Sequence, residues 1–309
     1  MLLFLSIFFF IIINISIGHD NNWAIVVGTS RYWHNYRHLN NALAVYDLLK
    51  QQGFHDDRII FMNANDIGCD SRNPYPSDFV VPELHHHYHN NNNINSHNAT
   101  MYTLDIEIDY RGLDVNVESF KRLMIGSHET PLLPLSKRLN SNKNSNVFLY
   151  MTGHGGDEFL KFHDLEEINA DEIADMVNIM NLRKRYKNLF VIIDTCQAVT
   201  MFSKVTAPNV AILASSRAGE NSYAYRVNTT VAVPTIDRFT LQLYDFFRFY
   251  KSKGQSMQGL TIKHLLNSLD ERLLGSKPVL SGPWSSTQIK LQDFFSPHSR
   301  ISKYQRITL

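Results

Sequence analysis

Five short apolar runs, separated in most cases by helical periodicity, restrict this chain to few architectures. Trp23 to Gly28, Arg58 to Met62, Asn146 to Thr152, Leu189 to Ile193 and Val210 to Leu213 read as buried strands. Ala42 to Gln52 carries Leu, Val and Tyr at helical spacing and stops at Gly53, a residue suited to the position just past a helix end. Asn169 to Tyr186 places Ile173, Met176, Ile179 and Met180 on one stripe. Further amphipathic stretches cover Ile236 to Tyr250 and Leu260 to Leu269. Strand, helix, strand in series builds parallel pairs through crossovers. The spacing therefore predicts one α/β domain, a mainly parallel sheet with helices on both faces. No internal repeat or domain boundary interrupts the series.

Composition narrows the function. The chain has 309 residues, enough for one large core. A net charge of +1 argues against a general nucleic-acid binder, which needs an excess of Lys and Arg. The two cysteines, Cys69 and Cys196, cannot build a disulfide scaffold or a Cys-only zinc site. Each needs its own explanation.

Residues 2–13 are apolar, shorter than the roughly 20 residues of a membrane-spanning helix. With Ser16-Ile17-Gly18 behind them, they read as a signal peptide over residues 1–18, ahead of a domain over 19–309. An uncleaved anchor is the alternative. Both place the remainder on the lumenal or extracellular side, which gives meaning to the glycosylation triplets at Asn98 and Asn228. Residues 85–98, HHHYHNNNNINSHN, read as a disordered insertion, since Asn and His repeats bury no core. Tyr102 to Tyr110 alternates apolar and acidic residues, which predicts a strand with its carboxylates on one face. That face is either solvated or, with Asp56 joining Glu107 and Asp109, a calcium site.

The chemistry-bearing residues follow strands. Gly153-His154-Gly155-Gly156 closes the third, Asp194-Thr195-Cys196 the fourth and Ser215-Ser216 the fifth. Open parallel sheets gather their sites at the carboxyl ends of strands. A His after one strand and a Cys after another suit a thiol nucleophile with an adjacent base. The glycines beside His154 let backbone amides approach a substrate, so the amides of Gly155 and Cys196 are candidate oxyanion donors. Asp194 is a strand-end cap or a selector in the substrate pocket. Zinc is the rival use of Cys plus His, but further ligands at suitable spacing are missing.

The segments Tyr150 to Gly156, Phe159 to Phe162 and Ile193 to Gln197 resemble the catalytic subunits of glycosylphosphatidylinositol (GPI) anchor transamidases. These form part of the legumain-like, caspase-fold group of cysteine proteases. The resemblance extends through Thr29 to Trp33, Asn35 to His38, Cys69 to Pro74, Asp109 to Arg111, Ala214 to Ser216 with Glu220, Asp237-Arg238 and Asp293 to Phe295. It implies that Cys196 and His154 are the catalytic pair and that Asn35 orients the His. It implies that Asp194, Ser215 and Ser216 line the pocket at the cut site, and that Cys69 is linked by a disulfide to a partner subunit of a membrane complex. The implied substrates are the C-terminal signal of a proprotein and a GPI lipid, in the endoplasmic reticulum lumen, with no cofactor required. The chain departs from many relatives in lacking an apolar C-terminal span, so membrane association is expected through partner subunits. A legumain-type asparaginyl endopeptidase and a non-catalytic substrate-recruiting subunit are the alternative readings.

Overall fold

The computed structural model describes residues 21–75, 80, 106–127, 133–255 and 257–295. The leader over 1–18, the insertion over 85–98 and Asn98 lie outside the described residues. The chain runs β1 (Trp23–Gly28), α1 (Tyr36–Gln51), β2 (Ile59–Asn63), β3 (Tyr110–Arg111), α2 (Val117–Ile125), β4 (Asn146–Thr152), β5 (Gly155–Gly156), β6 (Phe159–Phe162), β7 (Glu166–Asn169), α3 (Ala170–Leu182), β8 (Asn188–Asp194), β9 (Val210–Ala214), β10 (Val227–Asn228), β11 (Val233–Pro234), α4 (Arg238–Ser252), α5 (Ile262–Ser268), α6 (Glu271–Leu274), β12 (Val279–Ser281) and α7 (Gln292–Phe295).

Seven strands form the main sheet in the order β12-β9-β8-β4-β1-β2-β3. All neighbours are parallel except β12 against β9. Between their ends, β1, β2, β4, β8 and β9 are apolar because both faces are covered. Ala24 and Val26 of β1 enter a core shared with α1, α4 and α5, whereas Ile25 and Val27 enter one shared with α2 and α3. This is the mainly parallel, doubly covered sheet that the sequence predicts. Among the described residues, no helix is long and apolar enough to cross a membrane.

Two boundaries differ from expectation for physical reasons. The first helix starts at Tyr36, not Ala42. Its opening turns bury His38, Asn40 and Asn41, polar residues that hide the apolar period. The third begins with a capping box: the Asn169 side chain accepts from the Glu172 amide at 3.0 Å, and Glu172 accepts from the Asn169 amide at 3.2 Å. It ends at Leu182, before Lys184 takes a left-handed φ of 54°.

The acidic strand over 102–110 is corrected more deeply. Residues 102–105 lie outside the described residues; among the described ones, 106–109 are not strand and only Tyr110–Arg111 pairs with β2. Asp109 does not share an outer face with Glu107 as expected. It is buried, and its carboxylate accepts the Phe61 amide at 2.9 Å.

Candidate active site

Strands β4 and β8 are neighbours, with Thr152 paired to Asp194. Each reactive residue lies two positions further on, so His154 and Cys196 leave the sheet at the same carboxyl edge. The Thr195 hydroxyl donates to the Gly153 carbonyl at 2.9 Å and stitches the two exits together. Gly155 packs directly on this stitch. A Cβ there would lie 2.6 Å from Thr195 Oγ1 and 2.7 Å from the Phe159 carbonyl, so a larger residue would wedge the exits apart.

His154 Nε2 lies 2.8 Å from Asn35 Oδ1. Asn35 Nδ2 is spent on the Arg31 carbonyl at 2.7 Å, which can only accept. The Asn35 oxygen therefore faces the ring, and Nε2–H donates to it. Neutral His154 then carries its lone pair on Nδ1, the nitrogen left for a thiol proton. Burial, aided by the Arg37 charge, holds the His154 pKa below 6.5 and keeps the ring neutral at pH 7. Asn35 itself is fully buried, so its amide is a fixed orienting group. The ring of His38 stands edge-on to His154 at 4.8 Å. His38 is held by Ser30 Oγ at 2.7 Å and lies 3.7 Å from the Asp237 carboxylate. Burial, with the positive charge of Arg37 adding to it, pushes the His38 pKa well down.

Cys196 is partly exposed. It stands between β8 and a 3-10 turn over Ala198–Phe202, with Gln197 in a left-handed conformation at φ 53°. The Sγ atom lies 4.0 Å from the Ser222 carbonyl. The register of β5 sets the direction of the Gly155 N–H. Lys161 donates to the His154 carbonyl at 2.8 Å, which makes Gly155 and Leu160 a non-hydrogen-bonded pair and turns the Gly155 N–H away from β6.

The expected pocket residues take a different part. Ser215 and Ser216 are fully buried, and Asp194 is 1% exposed. The two serine hydroxyls donate to the Thr195 carbonyl at 3.2 and 2.8 Å; Ser215 Oγ accepts the Thr195 amide and Ser216 Oγ the Ala198 amide. They clamp the backbone on both sides of Cys196 and do not line an open pocket. Asp194 accepts from Ser222 Oγ and Thr240 Oγ1, both at 2.6 Å, and burial raises its pKa.

The remaining candidates lie apart. Cys69 is exposed on a 3-10 turn over Ile67–Cys69, and neither cysteine is bonded to the other. Asp56 is held by Lys50 at 2.6 Å and by the Tyr46 hydroxyl. Among the described residues, no three His, Cys, Asp or Glu side chains gather as a metal site, and Asp109 is turned to the Phe61 amide. The Asn228 side chain accepts from the Thr230 and Val231 amides at the β10–β11 turn.

The residues to which the sequence assigned no role are those beneath the pair: Arg37, His38, Asn41, Thr195, Asp237 and Thr240. Asp237 accepts from Arg37 Nε at 3.1 Å and Asn41 Nδ2 at 2.6 Å, and burial, then the nearby Asp194, pushes its pKa up to about 7. Their signal was polar character inside otherwise apolar helices, as at Asn40-Asn41.

Comparison with known proteins gives the family of the chain. The model of the peptidase C13 family matches residues 22–297. The GPI-anchor transamidase of Saccharomyces cerevisiae is 45% identical over 228 residues, covering 74% of this chain and 52% of that protein. That of Schizosaccharomyces pombe is 38% identical over 283 residues, covering 90% of this chain and 70% of that protein. The chain thus spans about half the length of the budding-yeast relative. Caspase-1 from Spodoptera frugiperda superposes with a TM-score of 0.47 at 11% identity over 92% of each chain, a likeness too loose to add to the sheet topology.

Proposed function

The chain belongs to the peptidase C13 family, and from that premise we propose that it is the catalytic subunit of a GPI-anchor transamidase. The observation that carries the proposal is one edge holding a partly exposed Cys196 and a neutral His154 oriented by Asn35. Neutral His154 takes the thiol proton at Nδ1 as Sγ attacks the carbonyl at the attachment site of a proprotein. The Gly155 and Cys196 amides hold the oxyanion, and loss of one such donor costs about 3 to 4 kcal/mol in the barrier. The protonated His154 passes its proton to the leaving amine, the C-terminal signal peptide departs, and a thioester remains. The amine of a GPI phosphoethanolamine then loses its proton to His154 and attacks the thioester. An amide forms, and the thiol is released. Water would give hydrolysis, so the site must favour the lipid amine by position.

The test is Cys196→Ala in cells depleted of the native protein. Loss of GPI-anchored surface proteins, with the variant still assembled with its partners, is the expected result. Normal anchoring would eliminate the mechanism and favour a recruiting subunit. Cleaved but unanchored reporter from the wild type would favour an endopeptidase.

Three further expectations belong to this reading. The chain works on the lumenal side of the endoplasmic reticulum, attached through partner subunits. The exposed Cys69 bridges to one of them, and Cys69→Ser would then abolish a band that shifts on reduction. Asn228 carries a glycan, which endoglycosidase treatment would remove with a visible gain in gel mobility.

A further inference from the structure

We infer that Asn41 and Thr240 are positioning residues which fix how far apart the His154 and Cys196 exits stand. The inference rests on these two being the reacting pair. Both positioning side chains are polar, lie inside helices and are fully buried, which is costly without hydrogen bonds. Each donates to a strand end. Asn41 of α1 donates to Thr152 Oγ1 at 3.0 Å, two residues before His154. Thr240 of α4 donates to Asp194 Oδ2 at 2.6 Å, two residues before Cys196. With that proton spent, the Thr240 oxygen accepts from the Tyr150 hydroxyl at 2.6 Å. Tyr150 is on β4 and Asp194 on β8, so one hydroxyl spans both catalytic strands.

The two helices are also locked to each other. Asn41 donates to Asp237 Oδ2 at 2.6 Å and accepts the Asp237 amide at 2.9 Å. Asp237 is the residue from which α4 starts. Further along, the Tyr244 hydroxyl of α4 donates to Asp47 of α1. Two chains of polar contacts, Thr152–Asn41–Asp237 and Tyr150–Thr240–Asp194–Ser222, are joined through the first turn of α4, and Ser222 ends the second with its carbonyl against the Cys196 thiol. Moving α4 against α1 therefore moves Cys196 relative to His154. A displacement near 1 Å at a reacting pair lowers a rate by about 10²-fold.

The experiment uses the full chain in its native membranes. Iodoacetamide alkylation of Cys196, followed by peptide mass spectrometry, reads the pair without assuming any transferase activity. A reporter proprotein read in the same membranes gives kcat and KM. Thr240→Val keeps the shape and removes the hydroxyl. It is expected to slow alkylation and kcat by about 10- to 100-fold with KM little changed, and Thr240→Ser is expected to restore both. Alkylation at the wild-type rate in Thr240→Val, or failure of Ser to rescue, overturns the proposal. If Thr240→Val does not accumulate, Tyr150→Phe carries the test: it removes one donor to the same hydroxyl and should slow alkylation about fivefold. No slowing there also overturns it. Normal alkylation dependence with no anchoring activity in the wild type would refute the transferase reading and leave this one standing.

Discussion

At the amino end of the sheet, Asn22, Asn146 and Asn188 bind one another and the Asp293 carbonyl over 2.8–3.2 Å. At the carboxyl end, Asn41, Thr195, Ser215, Ser216 and Thr240 do much the same over 2.6–3.2 Å. Both ends are polar layers over an apolar sheet, and each of the side chains named is hydrogen-bonded. They differ in what stands outside the circuit. The amino end is sealed by α7, whose Phe294 and Phe295 are buried. The carboxyl end leaves His154 and Cys196 partly exposed, held by the layer without being consumed in it. Polar residues at a strand end thus do not mark a site. A thiol and an imidazole left partly exposed at one edge do.

The sharpest way to break this contrast is Gly155→Ala. The added methyl collides with Thr195 and the Phe159 carbonyl, and the Gly155 amide, the proposed oxyanion donor, moves with it. Transfer should fall by about 10²-fold or more, while the chain still melts cooperatively. Asn35→Ala comes next. It removes the acceptor that fixes the His154 tautomer, and Cys196 alkylation at pH 7 should slow by about 10²-fold. The matching change at the sealed end, Asn146→Ala, strips partners from buried amides. It should cost about 1 to 3 kcal/mol of stability and leave alkylation per folded molecule unchanged. If it slowed alkylation as Asn35→Ala does, the two ends would not be functionally distinct.

The smallest expected effect is a pH slope. Burial pushes Asp109 and Asp237 up to about 7 from an ordinary 3.8. The folded chain therefore holds more protons than the unfolded one between about pH 4 and 7. The stability these groups contribute is full below that window and is lost as pH rises through 7. Asp109→Asn retains an acceptor for the Phe61 amide and should flatten part of this slope in melting temperatures. An unchanged slope would place the titration elsewhere.

The strands and the reactive pair were legible in the sequence because both signals are local. Apolar runs of five to seven residues ending in Gly-His-Gly or Asp-Thr-Cys need no tertiary information. The supporting layer was not legible, because its meaning lies in pairings across 40 to 200 residues, such as Asn41 with Asp237. Ser215 and Ser216 illustrate the gap. The resemblance implied that these two hydroxyls line a pocket, whereas their burial beneath Thr195 spends them on the backbone beside Cys196. The acidic alternation failed for a related reason. Asp109 turned inward to serve the Phe61 amide, a demand set by β2 and not by its own segment. The ribbon of β5, β6 and β7 was missed because its strands span only two to four residues.

The central claim is that Cys196 and His154 make one acyl-transfer site. Hydrazine tests it directly, because a small amine intercepts a thioester and leaves a hydrazide on the new C-terminus. Membranes carrying the wild-type chain, a reporter proprotein and hydrazine should yield that hydrazide by mass spectrometry, and membranes carrying Cys196→Ala or His154→Ala should not. Undiminished hydrazide from Cys196→Ala would contradict the account.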